Sequence, residues 1–253
     1  MKILVCIKRV MDYEAKLVIK SDGLDVERNN VNMIMNPFDE IALEAALRIK
    51  DKQDCEVVVL SIGSKDCEAQ LRSGMAMGAD RGILVEADLS LSQTFDSLYI
   101  AKIIAHVLDE EKPNLVLMGK QAIDDDNHQV SEMLAEICDW PQATQANSIN
   151  LTAQNTAIVA READGGLQTI EVSLPCIITS DLRLNEPRYA SLPGIMKAKK
   201  KPLDIKNLAS FNIQHDCGIK ISKLLAPKKR VAGVMLKDVA ELVSKLKYEA
   251  KVI

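Results

Sequence analysis

Asn36-Pro37-Phe38-Asp39-Glu40-Ile41-Ala42-Leu43-Glu44-Ala45-Ala46-Leu47-Arg48-Ile49-Lys50, followed shortly by Glu56-Val57-Val58-Val59-Leu60-Ser61, sets the architecture of the chain. Asn36 is a residue type that caps helices, Pro37 suits the first helical position, and Asp39 puts negative charge in the first turn. Ile41, Ala45 and Ile49 then line one helical face. The β-branched run after it reads as a buried strand. Working outward, Lys2 to Ile7, Gly82 to Glu86 and Leu115 to Met118 have the same character. Helical stretches separate them: Cys67 to Met77, closed by Gly78 as a C-terminal cap, and Thr94 to Glu111, with Leu98, Ile100, Ile103, Ile104 and Val107 at helical spacing. A further helix is predicted after the loop ending near Asn127, running to about Cys138. Strand and helix in alternation predict a parallel sheet covered by helices.

From about Ala143 the grammar changes. Ala157 to Arg161, Asp164-Gly165-Gly166 and Gln168 to Ser173 read as a hairpin, which gives the sheet an antiparallel edge. The fold class expected is α/β: a three-layer sandwich with a mostly parallel, Rossmann-like sheet, antiparallel edge strands and an extended C-terminal arm. Ser191 to Lys201 has no clean period and reads as a long exposed segment. Beyond it, Val239 to Lys247 is one good amphipathic helix, but little between Pro202 and Val234 would fold by itself.

The 253 residues are enough to bury a core without staples. Lys+Arg 32 against Asp+Glu 36 leaves a net charge of -4, and the chain has only three Phe, four Tyr and one Trp. Neither the basic excess nor the stacking residues that nucleic-acid binding needs are present, so nucleic acid is not an expected partner. No apolar run reaches the ~18 residues of a membrane span, so an integral membrane protein is not expected. The short apolar N-terminus reads as a first strand, not a signal peptide, and a cytoplasmic or organelle-matrix location follows. Cys6, Cys55, Cys67, Cys138, Cys176 and Cys217 are scattered and lack ligand spacing, so neither a disulfide framework nor a zinc site is expected.

Signatures of autonomous catalysis are absent, including nucleophile elbow, P-loop, zincin and dinucleotide fingerprints. His106, His128 and His215 offer no base for a nucleophile, and no catalytic residue is assigned. Open parallel sheets bind ligands beyond the carboxyl ends of their strands. The loops after Ile7, Ser61 and Met118 could thus form a rim with the helix start at Asn36. Gly119-Lys120-Gln121-Ala122-Ile123-Asp124-Asp125-Asp126-Asn127 leads into a helix whose N–H groups could hold a phosphate. Asp124 to Asp126 could equally just cap that helix, or, less easily, hold a metal. Leu192-Pro193-Gly194-Ile195-Met196, beside Lys197, Lys199, Lys200 and Lys201, reads either as an apolar docking surface or as side chains folded back onto the core.

The stretch Val159-Ala160-Arg161-Glu162-Ala163-Asp164-Gly165-Gly166-Leu167-Gln168-Thr169-Ile170, continuing to Pro175-Cys176-Ile177-Ile178-Thr179, resembles the signature of the electron transfer flavoprotein β-subunit family. Met35 to Phe38, Ala76 to Gly82, Gly119 to Asp126, Asp139 to Gln142 and Asp181 to Tyr189 are similar to family segments too. The resemblance implies a heterodimer whose α subunit holds most of the FAD, while this chain binds AMP. It also implies an electron carrier, not an enzyme, that accepts electrons from flavin dehydrogenases such as acyl-CoA dehydrogenases in fatty acid β-oxidation and passes them to a quinone oxidoreductase. By the same likeness, Tyr13 and Phe38 flank the FAD. Cys6, Asn36, Pro37, Phe38, Asp39, Ile62, Gly119, Ala122, Asp126, Asn127, His128, Gln129 and Val130 build the AMP pocket. Leu192, Pro193, Ile195, Met196, Lys197 and Lys200 dock partners, and the two lysines match positions that can be methylated. Residues 1–201 would form the nucleotide-binding domain with its docking loop at 187–201, and 202–253 an arm on the α subunit. His128-Gln129-Val130 departs from the family's usual Asn-Gln-Thr, removing one amide and one hydroxyl. A stand-alone nucleotide sensor of the universal-stress type is the competing reading, and it requires a self-sufficient chain.

Overall fold

The computed structural model describes residues 1–87, 96–214, 221–230 and 232–253. Thr94, His215 and Cys217 lie outside the described residues. Strands β1 (Lys2–Cys6), β4 (Glu56–Gly63), β5 (Arg81–Glu86), β6 (Leu115–Gly119) and β10 (Cys176–Ser180) form the parallel centre of a nine-stranded sheet. Two short strands, β2 (Arg9–Met11) and β3 (Met33–Met35), pair antiparallel between β1 and α1 (Pro37–Lys50). The remaining helices are α2 (Glu68–Met77), α3 (Ser97–Glu111), α4 (Val130–Cys138), α5 (Leu192–Ala198) and α6 (Val239–Lys245). Strands β7 (Gln142–Leu151), β8 (Thr156–Ala163), β9 (Gly166–Ser173) and β11 (Leu203–Asn207) complete the sheet in the order β11-β5-β4-β1-β6-β10-β7-β8-β9.

Alternate residues of the central strands feed two cores. Ile3, Val5, Val57, Val59, Leu115 and Leu117 pack with α1 and α2, while Leu4, Val58, Leu60 and Val116 pack with α3 and α4. Both faces are dry, which is why these strands read as continuous apolar runs without alternation. Each fully buried Leu or Ile contributes roughly 1.5 to 3 kcal/mol relative to exposure. The pair β8–β9 turns at Asp164-Gly165, with Gly165 at φ 87, so the expected antiparallel edge is present. Gly78 closes α2 at φ 148 as expected.

Four expectations need correction. Asn36 precedes α1, but its side chain makes no capping bond, because it is engaged elsewhere. The third helix begins at Ser97 behind an Asp96 cap and leaves Leu98 exposed, since Tyr99, Ile103 and Val107 occupy the buried stripe. Ser191 to Lys201 is mostly exposed as expected, but it is not irregular: Ser191 Oγ accepts from Gly194 N at 3.1 Å and starts α5, whose Ala198 is buried. Finally, β11 pairs parallel with β5, so the sheet takes in residues from beyond Pro202. The turn after it buries Phe211 against His106. Past that point Ile213 still touches the second core and the Leu224 N–H donates to Gly23 O, but most described residues are exposed and α6 buries none.

Candidate functional site

After β1 the chain passes to one side of the sheet for β4 and β5, then returns to the other side for β6. The carboxyl ends of β1 and β6 therefore meet at a switch point, where open α/β sheets place ligands. Asp39 sits there. Its carboxylate accepts the Lys8 N–H at 2.8 Å and the Gly119 N–H at 2.9 Å, tying both strand tips to the first turn of α1. Asn36, fully buried, donates to Gln121 O at 2.9 Å and accepts from Ile123 N at 3.2 Å, which pins the next loop. Ser180 Oγ donates to Phe38 O at 2.7 Å, so the neighbouring strand β10 holds the same turn.

The acidic run is spent inside the loop. Lys8 Nζ meets Asp124 at 2.8 Å and Asp125 at 2.9 Å, and Gln121 Nε2 donates to Asp126 at 2.6 Å. These carboxylates do not cap α4, whose first turn receives no side-chain cap. The alternative reading of them as a cap is corrected by the nearer cation, Lys8. Lys120 pairs with Asp181 at 2.6 Å and stands 5.5 Å above the Phe38 ring.

Of the residues expected here, Phe38, Asp39 and Gly119 meet, while Asn36 bonds the Gln121–Ile123 loop and Pro37 opens α1 between them. Cys6 ends β1 in the second core, where burial and the nearby Asp39 push its thiol well above the ordinary range. Ile62 packs half-buried at the carboxyl end of β4, next to the buried Ser61, whose hydroxyl meets the Cys67 thiol. Ala122 is half-buried in the loop, Asp126, Asn127 and Gln129 are exposed, and His128 takes a left-handed φ of 52. Val130 opens α4 against the second core. Tyr13, 73% exposed, follows β2, whereas Phe38 is buried. Sequence reading gave no role to Lys8 or Ser180 and did not pair Lys120 with Asp181, because these partners lie far away along the chain.

Burial pushes the Asp39 carboxyl from 3.8 up to about 7, against the N–H donors that pull it down. The folded protein thus binds this proton more tightly than the unfolded chain, and stability falls as pH rises between about 4 and 7, by up to ~1.4 kcal/mol per unit. Asn at this position does not titrate, and it offers one acceptor to two N–H donors. Asp39→Asn is therefore expected to be less stable, with a deficit that shrinks from pH 5 to 7 and then stays level in urea denaturation. A deficit that grows over that interval would mean the donors outweigh burial.

The second cluster lies on α5. Leu192, Ile195 and Met196 share one face and are 74%, 43% and 60% exposed, with Lys197 and Lys200 in solvent beside them. They do not fold back onto the core.

Residues 23–210 match the model of the electron transfer flavoprotein domain. The chain belongs to the electron transfer flavoprotein family. It is 52% identical over 254 residues to the electron transfer flavoprotein subunit beta of Bradyrhizobium diazoefficiens, covering 100% of both chains. It is 51% identical over 255 residues to the mitochondrial subunit beta of Arabidopsis thaliana, again over 100% of both. With the human subunit beta the identity is 43% over 248 residues, 98% of this chain and 97% of that one. Electron transfer flavoprotein likeness thus spans the sheet, the switch point and α5 together. No helix among the described residues is long and apolar enough to cross a membrane.

Proposed function

We propose that this chain is the β subunit of a heterodimeric electron transfer flavoprotein, accepting electrons from flavin dehydrogenases and delivering them to a quinone oxidoreductase. The observation that carries the reading is the apolar face of α5: three large side chains stand in water on a helix whose other side is packed. Such a patch, rimmed by lysines, has the composition of a protein-docking site. The C-terminal arm supports a second, permanent partner. Val234, Met235, Val239, Leu242, Val243 and Tyr248 are all exposed, more apolar surface than a free arm keeps in water. We assign this surface to the α subunit, which a stand-alone sensor would not need.

FAD, held mainly by the α subunit, supplies the electron-accepting chemistry when bound. This chain's part is to flank it with Tyr13 and the turn carrying Phe38, to shield it from water and to bring the donor within reach. An adenine nucleotide, AMP, suits the switch point: the first turn of α4, with no side-chain cap among the described residues, leaves N–H groups for a phosphate. Asn36 and Asp39 would act by holding the loop in shape, since their polar atoms are already used within the protein. The location that fits is a bacterial cytoplasm or a mitochondrial matrix. Anaerobic mixing of the purified complex with a substrate-reduced acyl-CoA dehydrogenase tests the reading. Rapid bleaching of the flavin band is expected, and a flavin that stays oxidised would contradict it.

A further inference from the structure

Helix α5 has seven residues, too few to keep its shape alone in water. Its fixed geometry comes from α2. Glu68 Oε1 holds the Arg72 guanidinium through Nε at 3.1 Å and Nη2 at 3.0 Å. Arg72 Nη1 then donates to the carbonyls of Ala198 at 2.9 Å and Lys201 at 2.8 Å. Carbonyls at a helix C-terminus lack partners within the helix, and here a cation supplies one. The exchange is reciprocal. Lys201 Nζ donates to Met75 O at 2.9 Å and Ala79 O at 2.5 Å, at the end of α2. Lys201 is thereby a fastening and not part of the solvated lysine rim. At the start of α5, Gly194 lies so close to α2 that a Cβ would stand 2.5 Å from Ala76 O. An apolar face on such a mount is already ordered before anything touches it.

We propose that Arg72, on α2 and outside the apolar face, is a positioning residue for docking of the electron donor. Its fork on the Ala198 and Lys201 carbonyls presets the direction of Leu192, Ile195 and Met196, so that a flavin dehydrogenase meets a rigid surface. Rigidity before binding strengthens an interface by removing the ordering cost from the association step. The inference rests on the reading of α5 as the docking helix.

Steady-state reduction of the holo complex by an acyl-CoA dehydrogenase, varied in concentration, tests it. Arg72→Met is expected to raise the KM for the dehydrogenase roughly five-fold, the scale of ordering one or two interface side chains, with kcat and flavin content unchanged. Arg72→Lys keeps the charge without the fork and is expected to recover only part of the loss. If Arg72→Met yields no folded complex, Arg72→Lys decides on the same readout. In a Leu192→Ala background, Arg72→Met is expected to add less than about two-fold, because the contact it positions is already gone. An unchanged KM, a fall in kcat alone, or the same penalty with and without Leu192 would overturn the proposal. A silent Leu192→Ala would remove the docking reading itself, and this inference with it. A damaging Leu192→Ala beside a silent Arg72→Met would sink the positioning role alone.

Discussion

Gly119→Ala is expected to lower the melting temperature by about 10 °C, while Gly233→Ala leaves it nearly unchanged. Gly119 ends β6 under the first turn of α1, and its N–H is one of the two that Asp39 accepts. A Cβ there would press into the Asp39 carboxylate, stand 2.6 Å from Phe38 Cβ and 3.0 Å from the Asp39 backbone nitrogen. Two of those neighbours belong to a turn that Ser180 and Asn36 also hold, so it has no room to retreat. Moving the strand tip instead would stretch the Asp39 bond to Gly119. Overpacking of this kind costs about 3 kcal/mol, which at this chain length corresponds to the stated shift. Among the described residues nothing lies within 4 Å of a Cβ added at Gly233, which makes it the control. Thermal denaturation followed by circular dichroism reads both variants. A Gly119→Ala protein as stable as the control would mean that the turn yields easily and that the strand tips are not clamped.

Leu192→Ala is expected to slow electron transfer from a cognate dehydrogenase by ten-fold or more while leaving the melting temperature and flavin content within error. At 74% exposure the side chain adds little to folding. As an apolar anchor entering a partner's pocket it would be worth more than ~1.4 kcal/mol, a factor of ten in affinity. Rim charges act differently. Lys197→Gln and Lys200→Gln together should weaken the salt dependence of the rate more than the rate at high salt, because exposed charges are screened. Stopped-flow reduction at two ionic strengths separates the two behaviours. An unchanged rate for Leu192→Ala, or a large loss of stability, would mean that the leucine is idle or structural.

The central strands were legible because the sheet is covered on both sides, so that Glu56–Gly63 and Leu115–Gly119 carry apolar residues at nearly every position. Helix α1 was legible from Pro37, its acidic start and its apolar face. Asn36 and Asp39 stand out in the sequence, but there they read as local capping and dipole compensation. The partners that use them, Gln121, Ile123 and Gly119, are eighty or more positions away. Helix α5 escaped periodicity because seven residues containing Pro193 and Gly194 make too little pattern, and Arg72 and Lys201 hold it from outside. The Ser191-x-Pro193 start was the available signal. Strand β11, Leu-Asp-Ile-Lys-Asn, is an edge strand with mostly solvated side chains, so its place in the sheet rests on backbone pairing that composition does not record. The apolar face of α5 was legible as composition, and its outward direction needed the fold.

Co-expression of this chain with an electron transfer flavoprotein α subunit from the same genome, set against the chain expressed alone, is the most direct measurement. The expected result is a yellow 1:1 complex that releases one FAD and one AMP on denaturation, beside a folded single chain without visible absorbance. Tyr13 and the Phe38 turn are the only flavin contacts proposed for this chain, too few to retain FAD unaided. Stoichiometric flavin in the lone monomer, or a failure to associate with the α subunit at all, would contradict the assignment of this chain as the β half of an electron carrier.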